Sequence, residues 1–197
     1  MARIGGRASK VNLPTRLALT DPARTPDPFA LLATLTAGSG LIWRAYDVTL
    51  TRKNICALEQ AARTKGVTLL IASAPADTRK SRGRNQHLAA HRLKTTYADH
   101  LRTHPHTIIT SAAHSAPEII AAARAGVDAV LISPVFATQS HRGAKPLGPV
   151  RFAALTRLAR CHGLLAYALG GLTSNQKIRR LGGSADGIAG IGLFTQA

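Results

Sequence analysis

The sequence predicts an α/β protein of the small (β/α)8 barrel class, and three observations carry that reading. Short β-rich runs recur along the chain, stretches of helical composition separate them, and the runs number eight. Strands that alternate with helices call for a parallel sheet covered by helices, either closed into a barrel or left open and doubly wound. The count favours closure.

In chain order the β-rich runs are RLALT at 16–20, GLIWRAY at 40–46, VTLLIA at 67–72, NQHLA at 85–89, TIIT at 107–110, DAVLIS at 128–133, LLAYAL at 164–169 and GIAGI at 187–191. NQHLA is the weakest of them and is placed where the regular spacing would otherwise leave a gap. Helices are expected over 28–37, 54–65, 115–125, 149–161 and 174–182. Ser115 reads as an N-cap, Glu118 three residues on as the other half of a capping box, and Gly126 as the stop of the same helix. Only six residues follow GIAGI, so the last helix of the barrel has to be very short.

With 197 residues, against roughly 150 per domain, the chain is expected to form one domain. Residues 1–15 read as a basic surface arm and 16–197 as the barrel. Hydrophobic residues at 45% and charged residues at 18% place it among globular chains. The longest apolar runs fall short of the roughly 18 residues a spanning helix needs. A formal charge of +17 favours phosphorylated or polyanionic partners. An aromatic content of 4% leaves few platforms for stacking single-stranded bases, so nucleic acid is the weaker of those expectations. Cys56 and Cys161 stand 105 residues apart, which gives neither a disulfide framework nor a metal spacing. With no secretory apolar segment in MARIGGRASKVNLPTR, this points to a cytoplasmic protein. A homo-oligomer stays open.

The chemistry-bearing residues cluster after the strands. Gly170 and Gly171 follow the seventh, and Gly190, Ile191 and Gly192 the eighth, where a barrel collects its catalytic loops and glycine lets backbone N–H groups approach phosphate oxygens. The plainer account of each pair is a tight turn. The long polar loop within 132–152 carries Thr138, Ser140, His141, Arg142 and Lys145, hydroxyls and cations suited to closing over a phosphate or pyrophosphate. His114, just beyond the fifth strand, has the residue type of a general acid or base, or of a helix entry. Arg44 ends an otherwise apolar strand with a cation that can hold an anion. The basic run 78–94 reads as a solvated face, with phosphate binding as the sharper alternative. No P-loop, zinc spacing, nucleophile elbow or dinucleotide fingerprint is present.

SAAHS, GVDAVLISPVFATQSH, PLGPVRFAAL, YALGG and GIAGI together resemble the thiamine phosphate synthase and thiazole tautomerase (TenI-like) superfamily, in order across most of residues 16–194. The resemblance implies a (β/α)8 barrel and a transferase of thiamine biosynthesis. It would couple an aminopyrimidine diphosphate to a thiazole phosphate with loss of pyrophosphate. It places Arg44 on the pyrophosphate, Thr138, Ser140 and the loop position of His141 near it, and Gly170, Gly171, Gly190 and Ile191 around the thiazole phosphate. Magnesium belongs to the synthase reaction, yet the family's metal aspartates fall on Ser73 or Ala74 and on the AAHR stretch after HL, where this chain has no carboxylate. The tautomerase branch needs no metal and uses a histidine that matches His114. A non-catalytic phosphate- or nucleic-acid-binding barrel is the third expectation.

Overall fold

The computed structural model describes residues 12–46, 49–73, 83–93, 106–138, 143 and 145–191. Its strands are β1 (Arg16–Leu19), β2 (Gly40–Ala45), β3 (Thr68–Ser73), β4 (Gln86–Leu88), β5 (Ile109–Ala113), β6 (Ala129–Ile132), β7 (Leu165–Leu169) and β8 (Gly187–Gly190). The helices are α1 (Pro28–Thr34), α2 (Arg52–Thr64), α3 (Ala116–Arg124), α4 (Gly148–Cys161) and α5 (Asn175–Arg179). Every neighbouring pair of strands is parallel, and β8 returns to β1 through Arg16 opposite Ile188 and Ala18 opposite Gly190, which closes the barrel.

Side chains alternate along each strand, and that period assigns the two layers. Leu17, Leu19, Ile42, Leu70, Ala129, Leu131 and Tyr167 point inward and fill the barrel. The residues between them, such as Leu41 and Trp43 on β2 or Val130 and Ile132 on β6, point outward beneath the helices. The N-terminal approach plugs the bottom: Leu13 is buried, the Tyr167 hydroxyl donates to Pro14 O at 2.9 Å, and Ile188 N–H donates to Thr15 O at 2.8 Å. Residues 1–11 of the expected arm lie outside the described residues.

Two aspartates hold backbone at the strand-entry end. Asp128, fully buried, accepts Ile109 N–H at 2.8 Å. Asp186 accepts Ala166 N–H at 2.7 Å and pairs with Arg160 at 2.8 Å. Removing the first acceptor strands a buried donor at the start of β5, so Asp128→Ala should lower unfolding free energy by about 2 kcal/mol. Urea denaturation measures this, and a loss below about 0.5 kcal/mol would mean the N–H finds another partner.

Several expectations shift on contact with the structure. The fifth strand, expected at 107–110, runs from Ile109 to Ala113, which brings His114 directly to its exit. The first helix, expected to 37, ends at Thr34, and the one expected over 174–182 is the single turn Asn175–Arg179. The capping box at Ser115 is not formed: its hydroxyl makes no cap bond, and Glu118 instead accepts the N–H of His114, one residue earlier. A complete box stands at α2, where Thr51 Oγ1 accepts Asn54 N–H at 3.2 Å and Asn54 Oδ1 accepts Thr51 N–H at 2.8 Å. Cys56 and Cys161 are free thiols. Among the described residues no helix is long and apolar enough to cross a membrane.

Candidate functional site

The C-terminal ends of the strands surround a cavity of about 720 Å³. Its walls follow from the inward parity of the strands. Arg44 is two residues past the inward Ile42 on β2, Ala112 and His114 continue the inward face of Thr110 on β5, and Ser133 continues that of Leu131 on β6. His87 of β4, Leu169 of β7 and Gly190 of β8 reach the same space.

One pole of the cavity is built on guanidinium groups. Asp21, in the loop after β1, lies between Arg44 at 3.7 Å and Arg24 at 3.4 Å. Its Oδ1 also accepts the N–H groups of Ala23 and Arg24, both at 3.2 Å. Burial pushes the Asp21 carboxyl up, but the Arg24 hydrogen bond and charge and the two backbone donors outweigh it and hold the group below its usual range. Arg44 is set from behind as well: its N–H donates to Thr20 Oγ1 at 2.8 Å, and its guanidinium lies 5.8 Å from the centre of the Tyr46 ring.

Two histidines stand on the adjoining wall. His87 is buried, with Nδ1 at 2.9 Å from Thr110 Oγ1. The same hydroxyl lies 3.5 Å from Gln86 O, and turned that way it accepts from Nδ1–H and leaves Nε2 as the acceptor nitrogen. Burial, and next the charge of Arg44, push the His87 pKa down to about 4, so the ring is neutral near pH 7. His114 donates Nδ1–H to the carbonyl of Ser133 at 2.7 Å, with the Ser133 hydroxyl at 3.3 Å, which leaves Nε2 as its acceptor. Glu118 fixes the histidine's backbone N–H.

A second part of the same wall is the glycine turn. Gly170 and Gly171 have φ of 98° and 68°, and both lie against the loop that follows the cis Ser133–Pro134 peptide. A Cβ on Gly171 would collide with the Ala137 carbonyl and lie 2.8 Å from Phe136 Cβ. These glycines therefore satisfy a tight-turn requirement and line the cavity at once, so the two sequence readings are compatible. Lys177 of α5 overhangs this turn, its ammonium 3.2 Å from Thr173 Oγ1 and 5.9 Å from the centre of the Phe136 ring.

Of the residues marked from sequence, Arg44, His114, Thr138, Gly170, Gly171, Gly190 and Ile191 all line this one cavity. Lys145 is exposed on the approach to α4 and is not among the residues lining it, while Ser140, His141, Arg142 and Gly192 lie outside the described residues. Within the basic run 78–94, Arg84 forms an ion pair with Glu59 at 2.7 Å, in a separate open hollow bordered by Arg63 and His106. Sequence reading passed over Arg24, Asp21, His87 and Lys177, and gave Glu118 only a capping role. For His87 a signal existed: inward parity one residue before Leu88 on the fourth strand. For Asp21 and Arg24, in a loop, none did.

Among the described residues the metal of the synthase reaction finds no fitting donor set. Ser73 ends β3 and Ala89–Arg92 follow β4, and none of these supplies a carboxylate oxygen. Among the described residues no three His, Cys, Asp or Glu side chains gather in a group able to hold a metal ion.

Fold and site together define a (β/α)8 barrel whose C-terminal mouth holds a cation-lined cavity. A family profile described as thiamine monophosphate synthase matches residues 31–194, and the chain belongs to that family. A putative thiamine-phosphate synthase 2 from Aquifex aeolicus (strain VF5) is 34% identical over 95 residues, which are 48% of this chain and 50% of that protein. The match thus spans about half the length of this curated relative. Among solved structures, the thiamine phosphate pyrophosphorylase of Pyrococcus furiosus is similar with a TM-score of 0.68 at 16% identity, over 90% of this chain and 85% of that one. An HpcH/HpaI aldolase/citrate lyase family protein of Burkholderia cenocepacia J2315 gives 0.66 at 13% identity, over 93% and 90% of the two chains. At such identities both likenesses speak for the barrel alone.

Proposed function

We propose that the chain is a thiamine phosphate synthase-type transferase that joins an aminopyrimidine diphosphate to a thiazole phosphate at the barrel mouth. The observation that carries this is the presence of two anion-receptive groups in one cavity, Arg44 with Arg24 from β2 and the loop after β1, and the Gly170–Gly171 and Gly190 turns with Lys177 at the ends of β7 and β8. A reaction with one phosphorylated acceptor and one diphosphate leaving group needs two such groups in a common site.

In this reading the bond between the pyrimidine methylene carbon and the diphosphate oxygen breaks, and its electron pair leaves with pyrophosphate. The guanidinium of Arg44 stabilises that charge as it develops. The ring nitrogen of the thiazole then supplies the electron pair of the new carbon–nitrogen bond. The products are thiamine phosphate and pyrophosphate, and no proton need be moved by a side chain. Mixing the purified protein with both substrates, with and without magnesium, and detecting thiamine phosphate as its fluorescent oxidation product tests the proposal. No product in either condition would reject it.

A second reading is favoured by one observation, the clamped Nδ1 of His114, which leaves an acceptor nitrogen toward the cavity. A thiazole tautomerase would use that nitrogen to move a proton on the ring. His114→Asn keeps a polar side chain and is expected to cut tautomerisation by at least about a hundredfold while thiazole phosphate still raises the thermal midpoint. Proton exchange followed by NMR reads the rate, and an unchanged rate would sink this alternative.

A further inference from the structure

The chain has nine carboxylate side chains, and the structure accounts for six of them. Asp27 caps α1, Glu59 pairs with Arg84, and Asp128 and Asp186 hold strand N–H groups at the opposite end of the barrel. Asp21 and Glu118 stand at the mouth. Glu118 accepts the backbone N–H of His114, and Asp21 lies between two guanidinium groups. Asp47, Asp77 and Asp99 lie outside the described residues.

We infer that the Arg44 pole takes its diphosphate as the metal-free polyanion, gripped by Arg44 and Arg24, with Asp21 holding the two guanidinium groups side by side. Asp21 spends its charge on this alignment, since two cations held at one carboxylate would otherwise repel each other and swing apart. Arg24 and Arg44 both border the cavity, and their planar forks match pairs of phosphate oxygens. A divalent cation on the diphosphate would cover the oxygens these forks need and lower the ligand's charge, and it would bring a positive ion against two guanidinium groups. Magnesium should therefore compete with this pole instead of serving it. The inference rests on the coupling reading only for the identity of the natural ligand, since the geometry itself calls for a polyphosphate oxyanion.

Titration calorimetry of the full chain with inorganic pyrophosphate, in a chelating buffer and in excess magnesium, gives a test by sign. Binding is expected in the chelating buffer and should weaken at least tenfold when magnesium is added. Arg24→Ala, half-exposed in a surface loop, should weaken the metal-free binding tenfold or more, with Arg24→Lys between it and the parent. Circular dichroism confirms that each variant is folded. Binding that tightens with magnesium, binding that survives Arg24→Ala unchanged, or no binding in either buffer each overturns the inference. The coupling assay run in parallel separates the two ideas. Metal-free pyrophosphate binding without thiamine phosphate formation would sink the coupling reading and leave this one standing. Product formed together with magnesium-tightened pyrophosphate binding would do the reverse.

Discussion

Replacing Arg44 with alanine is expected to lower kcat/KM for thiamine phosphate formation by about a thousandfold. The reason is where the charge appears. As the carbon–oxygen bond breaks, negative charge grows on the departing pyrophosphate, and Arg44 is a pre-set donor: Thr20 fixes its backbone, the Tyr46 ring underlies its guanidinium, and Asp21 holds it from the side. A donor held in place before the reaction has no reorganisation to undergo during it, so most of its effect falls on the transition state. Arg44→Lys keeps the charge but not the planar fork, and should recover only part of the loss. The side chain is a quarter exposed at the mouth, so both variants should unfold within a few degrees of the parent. A drop smaller than about tenfold in the alanine variant would remove Arg44 from the chemistry.

Acid should destabilise this barrel through His87. The buried ring has its pKa pushed down from 6.5 to about 4 by burial and by Arg44, whereas the unfolded chain keeps the ordinary value. Between those two pH values the unfolded state binds a proton that the native state refuses, so stability rises with pH across that window and falls as the solution is acidified. The full contribution is present above about pH 6.5, and roughly 3 kcal/mol should be lost by about pH 4. His87→Gln removes the titration and retains a group able to bond Thr110. Urea unfolding at about pH 7.5 and at about pH 4 should therefore show a smaller acid loss in the variant by most of that amount. Parallel stability curves for the two proteins would show that the ring is free to protonate in the fold. The same neutrality bears on function, because an uncharged imidazole next to Arg44 keeps an acceptor nitrogen on the cavity wall beside a guanidinium.

The candidate site was partly readable before folding. Arg44 sits near the end of β2, His114 and the Gly170–Gly171 pair directly follow strands, and Thr138 lies in the loop after β6, and a parallel barrel brings all strand exits to one end. Their convergence on a single cavity follows from that topology. Asp21 and Arg24 left no comparable trace. The pairing of Asp21 with Arg44 spans the connection from β1 to β2, and nothing periodic relates a loop carboxylate to a guanidinium 23 residues on. His114 shows the intermediate case. Its place was clear, but the acceptor that clamps it, the carbonyl of Ser133 just past the next strand, is a neighbour only through the β5–β6 pairing of Ala113 with Ile132.

What the sequence determined by itself is the alternation of short apolar strands with helices, the closure that eight such strands imply, and the family to which the later motifs point. These are local properties, written in side-chain period and in runs of a few residues, and burial of one face enforces them wherever the chain meets its neighbours. Only the tertiary structure decided that Ser115 would leave its cap unmade, that a buried histidine would stand neutral beside Arg44, and that Asp21 would be drawn between two guanidinium groups. The last two depend on distances between residues far apart in the chain, and the first on Glu118 taking the N–H of His114 in place of the cap. Electrostatic and hydrogen-bond energies vary steeply over such distances, and composition and periodicity carry no measure of them.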